Sequence, residues 1–322
     1  MRLYSFKTDG GVRTGVEIAG SMLLDLAAAD RADGGDGTRY ASMLAIIAGG
    51  PSALQAIDAL VGSATSAHAV PLDSASLVSP IPVPARLRDA GMFVEHLEII
   101  RRELAKMAAR NAPDPEAAAS ALLETDQFKL PEVVYRRCCY YNGNHHAVIG
   151  PDAPLAWPRE SEVLDYELEI GVVVGRAGHD LSPEEAKECV FGYTLMNDWS
   201  ARDLQVDVAK SGAGPCMGKD FATSLGPCIV TADEIGDPHD IELSAWVDGE
   251  QWSAGSTRNM HHGVFEAISQ FSRISPLVAG EVIGTGTCAY GSATEQGKRL
   301  QPGQTVELRA SGIGSLRNTI KR

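Results

Sequence analysis

The chain has 322 residues, of which 44% are hydrophobic and 22% are charged, a composition typical of a globular protein with one large domain or two. Its formal net charge of −14 argues against nucleic acid or an anionic membrane surface as a partner. The N-terminus carries no apolar leader, and no stretch approaches 18 uninterrupted apolar residues, so we expect a cytoplasmic protein. The six cysteines show no C-x-x-C spacing, which favours reduced thiols over a zinc site or disulfides.

The first 80 residues are predicted to form a small β-rich domain. Alternating apolar residues and turn signals predict strands at residues 3–7, 12–18 and 22–26, a loop at 27–37, and two short helices at 40–48 and 51–61. Residues 63–86 are rich in Ser, Ala and Pro and include P-I-P-V-P. This composition predicts a boundary between a domain of residues 1–80 and a second domain of residues 81–322.

The second domain is predicted to be mostly β. It begins with a helix at residues 93–109 and a polar, helix-prone surface segment at 110–130, so that residues 93–130 together could serve as a lid. A helix at 183–190 has Ser182 as N-cap and Glu185 at N3, and another is predicted at 264–273. Strands are predicted at residues 133–141, 146–149, 163–175, 192–197, 227–231, 241–247, 281–287 and 305–310, with a hairpin turn at 247–250.

One of these strands, V-L-D-Y-E-L-E-I-G-V-V-V-G at 163–175, combines an acidic face with an apolar end. Alternation places Asp165, Glu167 and Glu169 on the same face, about 6.5–7 Å apart. Two such carboxylates can hold one cation, and without a cation they repel each other. A polar strand face exposed to water explains the same pattern equally well.

Two further segments carry candidate site residues. In Y-T-L-M-N-D-W-S-A-R-D-L-Q, Asp198 ends a predicted strand, although it could merely cap the next turn beside an Arg202–Asp203 ion pair. In G-P-C-M-G-K-D-F-A-T-S-L-G, the residue after Lys219 is an aspartate, which excludes a phosphate loop. Lys219 could polarise a substrate carbonyl or bind a carboxylate, or it could be a solvated surface lysine.

Two further segments that contain glycines also carry potential acid–base groups. They are residues 88–96 (R-D-A-G-M-F-V-E-H) and 284–295 (G-T-G-T-C-A-Y-G-S-A-T-E). The histidine pairs at 145–146 and 261–262 are assigned structural or surface roles, because adjacent histidines diverge.

Together these blocks resemble the fumarylacetoacetate hydrolase superfamily from about Asp89 to Ile320. The motifs that carry the resemblance are D-Y-E-L-E before an apolar strand, F-G-Y-T-L-M-N-D-W-S-A-R-D-L-Q, G-K-D-F-A-T-S-L-G-P, G-T-G-T and G-I-G-S-L-R-N, in the family's order. The first 80 residues are similar to the small N-terminal domain of the longer, two-domain bacterial members. The resemblance implies an α+β, predominantly β fold, with a mixed β-sandwich or β-roll catalytic domain, and a homodimer.

The resemblance also implies the roles of individual residues. It implies a divalent cation held by Asp89, Glu167, Glu169 and Asp198. It implies a catalytic His96 oriented by Glu295, and substrate or oxyanion contacts from Tyr141, Gln205, Lys219 and Thr287. Because carboxylates are hard oxygen ligands, Mg²⁺ is expected first, then Mn²⁺ or Ca²⁺.

The implied function is that of a metal-dependent hydrolase that cleaves a C–C bond in a 1,3-diketo acid or an acylpyruvate-like substrate. His96 would activate water, Glu295 would fix its tautomer, and Lys219 would stabilise the oxyanion. The alternative is a 2-oxo acid decarboxylase, hydratase, isomerase or tautomerase of the same superfamily. The chain departs from the family pattern at Ala90-Gly91 after Asp89 and at Glu95, an alternative partner for His96. Asn144 and Cys216 have no assigned role.

Overall fold

A large mixed sheet organises the fold. A computed structural model describes residues 1–63, 66–208, 211–212 and 214–322, so residues 64–65 of the predicted domain boundary lie outside the described residues. The strands in chain order are β1 (Arg2–Thr8), β2 (Gly11–Ile18), β3 (Met22–Asp25), β4 (Ala69–Pro71), β5 (Leu77–Val78), β6 (Arg86–Ala90), β7 (Tyr140–Asn142), β8 (Val148–Ile149), β9 (Leu155–Ala156), β10 (Leu164–Asp165), β11 (Leu168–Val174), β12 (Val190–Asp198), β13 (Ser200–Ala201), β14 (Thr223–Thr231), β15 (Glu242–Val247), β16 (Glu250–Ser256), β17 (Glu281–Gly284), β18 (Thr305–Ala310) and β19 (Gly314–Lys321).

Helices connect these strands and cover the sheet. They are α1 (Leu26–Ala32), α2 (Met43–Ser63), α3 (Val94–Ala109), α4 (Pro115–Leu123), α5 (Val133–Arg136), α6 (Pro183–Glu188), α7 (Arg202–Val208), α8 (Ala232–Ile235) and α9 (Val264–Ile274). The predicted capping box of α6 is present, because Ser182 accepts from Glu185 N and the Glu185 side chain accepts from Ser182 N. The six cysteines are free thiols, as the sequence predicted.

Twelve of the described strands form the large sheet. Its main path runs β4-β3-β2-β1-β14-β12-β11-β17-β6-β7, with β5 beside β1 and β8 beside β14. Five further strands form a second sheet in the order β16-β15-β18-β19-β9, and β10 pairs with β13. β11 is buried along its whole length, with Ile170 and Val172 in one apolar core and Val173 in another. The predicted α+β, predominantly β fold class is confirmed.

The N-terminal strands belong to the large sheet. β1 runs antiparallel to β14, with Leu3 opposite Ile229, and both side chains lie in the same apolar core. Residues on the two sides of the predicted boundary near residue 80 therefore share one sheet, and the boundary itself stays a prediction. The predicted loop at 27–37 is partly wrong: Asp25 caps a helix that begins at Leu26, and Leu26 and Ala29 are buried.

By length and composition alone, α2 is apolar enough to cross a membrane. Its backbone breaks at Gly50 (φ 56°, ψ −145°), which leaves two short helices, as the sequence predicted. Ile46, Ile47 and Ile57 are buried in the core that contains Leu3 and Ile229. This placement is that of a helix packed against its own sheet.

Two predicted strands were wrong in detail. The segment predicted as a strand at 133–141 forms the short helix α5, whose first turn is closed by Val134 N donating to Pro131 O, and only its end joins the sheet as β7. The strand predicted at 163–175 breaks after Asp165. β10 pairs with β13 while β11 pairs with β12, and at the break Glu167 N donates to the side chain of Asn197 on β12 instead of to a backbone carbonyl.

Residues 93–130 contain two helices. α3 confirms the helix predicted at 93–109, and α4 starts at Pro115 with Asp114 as its N-cap. Gln127 fastens the segment to α7, because its Nε2 donates to Val206 O at 3.3 Å. A lid function for residues 93–130 stays a prediction.

Candidate metal centre and catalytic site

Four buried carboxylates converge at one end of the large sheet, in Asp89, Glu167, Glu169 and Asp198. Each offers one oxygen, and these oxygens lie within 4.8 Å of one another. Asp89 lies on β6, Glu169 on β11 and Asp198 at the end of β12, while Glu167 lies at the break between β10 and β11. Because β6, β17, β11 and β12 are consecutive in the sheet, residues far apart in sequence meet here. We call this group the carboxylate cluster.

Glycines make room for the cluster. Gly284 faces Asp89 on β6 and Gly171 on β11. A Cβ at position 284 would lie 2.6 Å from Asp89 Oδ1 and 2.9 Å from Glu169 Oε2. Gly286 has φ +80° and donates its N–H to Glu169 Oε2 at 3.0 Å, and Thr287 Oγ1 donates to Glu169 Oε1 at 3.2 Å. The strand β17 and the turn after it are therefore shaped around the carboxylates.

The pKa values of the clustered carboxylates are strongly shifted, and positive charge nearby decides which of them ionise. Burial and the neighbouring carboxylates raise the pKa of Asp198 to about 8, even though Lys219 acts in the opposite direction. Burial, with a smaller contribution from Glu167, raises the pKa of Asp89, and burial together with the other three carboxylates raises the pKa of Glu169. Burial opposes ionisation of Glu167 as well, but Lys219 and Arg202 outweigh it and lower its pKa.

A divalent cation fits this group. The ligand atoms are all carboxylate oxygens, the donor type that Mg²⁺, Mn²⁺ and Ca²⁺ prefer. Asp89 Oδ1 is buried and has no hydrogen-bond partner among the described residues, so it is free to ligate. A cation would also relieve the mutual repulsion that raises the pKa of three of the carboxylates.

Two predicted substrate-contacting residues touch the cluster directly. Lys219 is buried, and its ammonium contacts both Glu167 and Asp198, which outweigh burial and raise its pKa. The Tyr141 hydroxyl donates to Asp198 Oδ2, and burial together with Asp198 keeps the pKa of Tyr141 well above its ordinary value. The alternative of a solvated surface lysine at 219 is thus excluded.

His96 and Glu295 form a pair beside the cluster. His96 Nδ1 lies 3.0 Å from Glu295 Oε1, and Nε2 lies 3.7 Å from Glu167 Oε1. Burial alone would lower the pKa of His96, but Glu295 outweighs it and raises the pKa. Glu295 is held in turn by N–H groups of Tyr290 and Ser292 and by the Ser292 hydroxyl. Glu95 is exposed, so the glutamate that contacts His96 is Glu295.

Arg202 is a site residue that the sequence reasoning missed. The alternative of an Arg202–Asp203 ion pair is excluded: Asp203 accepts from the Ser161 hydroxyl and from Glu162 N, while Arg202 pairs with Asp165 and Glu167. Arg202 is buried, with Nη2 2.8 Å from Glu167 Oε1 and Nη1 donating to Gln205 Oε1 at 3.1 Å. The sequence could have indicated Arg202, because in a helix that follows Asp198 it lies on the same face as the candidate Gln205, three residues later.

The remaining candidates lie near the site in different settings. Gln205 is half-buried and held by Arg202, while Thr287 is buried against Glu169; their substrate roles stay predictions. Asn144 Nδ2 donates to Asp220 O, and the half-buried Cys216 lies 3.9 Å from Asn142 O.

The paired histidines lie outside the cluster. The ring Nε2 atoms of His261 and His262 bond the carbonyls of Tyr135 and Val134, 2.9 and 2.6 Å away, which is a structural role. The rings of His145 and His146 are 4.2 Å apart, His145 half-buried and His146 exposed.

The chain is similar in sequence and in structure to known proteins. The mitochondrial oxaloacetate tautomerase fahd2 of Xenopus laevis is 28% identical over 327 residues, covering 99% of this chain and 90% of the relative. The structure of the fumarylacetoacetate hydrolase from Exiguobacterium antarcticum superimposes with a TM-score of 0.69 at 28% identity, over 100% of this chain and 99% of the other. The maleylpyruvate hydrolase of Sphingobium sp. SYK-6, solved with manganese(II) and pyruvate, has the same fold (TM-score 0.71, 21% identity, 100% of both chains).

The fold and the buried carboxylate cluster define a class of enzyme that acts on small molecules at an acidic site suited to a divalent cation. The family model for the fumarylacetoacetate (FAA) hydrolase C-terminal domain matches residues 108–321, which is more than half of the chain. The chain belongs to the fumarylacetoacetate hydrolase family, and the resemblance drawn from its motifs is confirmed.

Proposed function

We propose that this protein is a metal-dependent hydrolase that cleaves a C–C bond in a 1,3-diketo acid or an acylpyruvate-like substrate. The observation that carries the proposal is the placement of the His96–Glu295 pair beside the carboxylate cluster, with His96 Nε2 3.7 Å from Glu167 Oε1. The proposed ligands are Asp89, Glu167, Glu169 and Asp198, with Mg²⁺ expected first and Mn²⁺ or Ca²⁺ as alternatives. When bound, the cation would chelate the two oxygens of the substrate and polarise its carbonyl.

His96 would act as the general base. Its Nδ1 faces Glu295, which leaves Nε2 to take a proton from water on the side of the cluster. The water oxygen would bond to the acyl carbon, the C–C bond would break, and its electron pair would pass to the enolate of the departing pyruvate unit. Proton transfer to the enolate carbon would then complete the products, a carboxylic acid and a 2-oxo acid.

Lys219 would stabilise the oxyanion that develops in this reaction. Its ammonium lies at the edge of the cluster against Glu167 and Asp198, so its charge is fixed in a buried position. A fixed positive charge at a buried oxyanion stabilises the transition state more than it does in water. Tyr141, which keeps its proton, would add a hydrogen-bond donor on the same side.

A second candidate is tautomerisation of a 2-oxo dicarboxylic acid. It is favoured by the Xenopus laevis relative, which is named an oxaloacetate tautomerase and aligns with 99% of this chain. The same base could take a proton from the carbon next to the carbonyl, and the same electrophilic groups would hold the enolate. This reaction needs no water and breaks no C–C bond.

The deciding experiment measures turnover with Mg²⁺ or Mn²⁺ on acylpyruvates, fumarylpyruvate, fumarylacetoacetate and oxaloacetate, with products identified by NMR. Hydrolysis yields two acids, whereas tautomerisation only interconverts keto and enol forms. His96→Ala is expected to lower kcat by about 10²–10⁴-fold, the usual contribution of a general base. Glu95→Gln is the matched control, because Glu95 is exposed one residue away. Full turnover in His96→Ala, or oxaloacetate tautomerisation without any C–C cleavage, would refute the hydrolase proposal.

A further inference from the structure

Asp165 is a fully buried carboxylate outside the carboxylate cluster, and it contacts two separate parts of the site. Its Oδ1 accepts from Ala293 N at 2.8 Å. Its Oδ2 accepts from Thr294 N at 3.3 Å and from Arg202 Nε at 2.8 Å. The break between β10 and β11 turns this side chain away from the cluster, although simple alternation along one strand would have placed it there.

The first of these parts carries the acid–base pair. Ala293 and Thr294 begin the short turn Thr294–Gln296, in which Glu295 contacts His96 at 3.0 Å. Two backbone N–H groups at the start of this turn are held by Asp165. These two hydrogen bonds fix the position and orientation of the turn, and thereby the position of Glu295.

The second part carries the positive charge beside Glu167. Arg202 uses Nε on Asp165, Nη2 on Glu167 and Nη1 on Gln205, so one planar guanidinium spans all three side chains. Two charge-assisted hydrogen bonds, to Asp165 and Gln205, and the ion pair with Glu167 fix its geometry in a buried setting. Asp165 anchors the end of this guanidinium that points away from the cluster.

We propose that Asp165 is a positioning residue that holds the His96–Glu295 pair and the Arg202–Glu167 pair in a fixed relation to each other. The inference rests on the proposed function, in which His96 delivers a base to a substrate held at the cluster. A single carboxylate links both pairs, so its loss lets them move independently. A misplacement of about 1 Å at a reacting centre can cost about 10²-fold in rate.

The test is the isosteric variant Asp165→Asn in the full-length protein. An amide keeps the volume but loses the charge and one of the two acceptor oxygens, so it cannot accept all three hydrogen bonds. Its NH₂ group would face a donor, either Ala293 N or Arg202 Nε and Thr294 N. We expect kcat to fall by about 10²-fold with little change in KM. The affinity for Mn²⁺ is expected to stay unchanged, because no proposed ligand is altered. Asp203→Asn is the matched control: Asp203 neighbours Arg202, but its side chain accepts from the Ser161 hydroxyl, Glu162 N and Leu204 N and contacts neither pair.

A double-mutant cycle separates positioning from a merely structural role. In a Glu295→Gln background, Asp165→Asn is expected to cost little further kcat, because both changes disable the same pair. If Asp165→Asn folds poorly, Arg202→Lys tests the same contact from the other side. Lysine keeps a positive charge beside Glu167 but lacks the Nε–H that donates to Asp165. The kcat loss of this variant should likewise be non-additive with Glu295→Gln.

Three outcomes would overturn the inference: additive losses in the cycle, an unchanged kcat in Asp165→Asn, or an equal loss in Asp203→Asn. Wild-type turnover is measured first. If the wild type hydrolyses the C–C bond of a tested substrate while Asp165→Asn keeps its kcat, the inference fails and the proposed function stands. If the wild type is inactive on every substrate tested, the proposed function fails and the inference falls with it.

Discussion

Replacing Gly284 with alanine is expected to weaken cation binding without unfolding the protein. The added Cβ would lie 2.6 Å from Asp89 Oδ1, 2.7 Å from Met196 Cε and 2.9 Å from Glu169 Oε2. Carbon and oxygen atoms do not approach so closely, so the two carboxylates must shift. Overpacking a tight site by one methyl group costs about 1–3 kcal/mol. If the whole cost falls on the cation-bound geometry, the Kd for Mn²⁺ rises about 5- to 150-fold.

The assay is isothermal titration of the purified protein with MnCl₂, repeated with MgCl₂. Gly171→Ala is the matched control, because Gly171 pairs with Gly284 across the sheet. A Cβ at position 171 would meet Thr194 Cγ2 and Val282 Cγ1, both at 3.1 Å, and no carboxylate. This control is expected to lower the thermal midpoint slightly and to bind Mn²⁺ like the wild type. Wild-type affinity in Gly284→Ala, or an equal loss in Gly171→Ala, would refute the reasoning.

Two further predictions concern the cation and the core. Removing divalent ions with EDTA should lower the thermal midpoint and adding Mg²⁺ should restore it, because a ligand at 100 times its Kd stabilises by about 2.7 kcal/mol; an unchanged midpoint would contradict the site. Arg88→Met should cost about 3–5 kcal/mol in urea unfolding, because Arg88 Nε lies 2.9 Å from buried Glu281. Burial raises the pKa of Glu281, although Arg88 acts in the opposite direction. The loss of unfolding free energy in Arg88→Met should therefore shrink as the pH falls, because Glu281 takes up a proton and no unpaired charge stays buried. A loss that does not depend on pH would contradict this origin.

The sequence predicted the carboxylates better than it predicted their surroundings. Alternation put Asp165, Glu167 and Glu169 on one face, and only the family resemblance separated Glu167 and Glu169 from Asp165; these two lie in the carboxylate cluster and Asp165 does not. The break after Asp165 depends on the pairing of β10 with β13, a contact with residues more distant in the chain. Local patterns do not determine such pairings, and so the partnership of Asp165 with Arg202 could not be foreseen.

The meeting of His96 with Glu295 was also beyond local reasoning. The family resemblance implied it, whereas spacing and periodicity gave no reason to join two segments from different ends of the domain. The wrong strand at 133–141 has a simpler cause. Val133, Val134 and Tyr135 favour a strand by propensity, but the backbone bond from Val134 N to Pro131 O closes a helical turn.

The pairing of β1 with β14 constrains how this protein can be dissected. β14 runs beside β12 to the level of Asp198, and its far end forms a ladder with the first residues of the chain. Deleting the first 80 residues would strip that ladder and uncover Leu225 and Ile229, which share a core with Leu3. An isolated fragment of residues 81–322 would thus present a bare, apolar strand edge prone to self-association. Functional studies are best served by the whole chain.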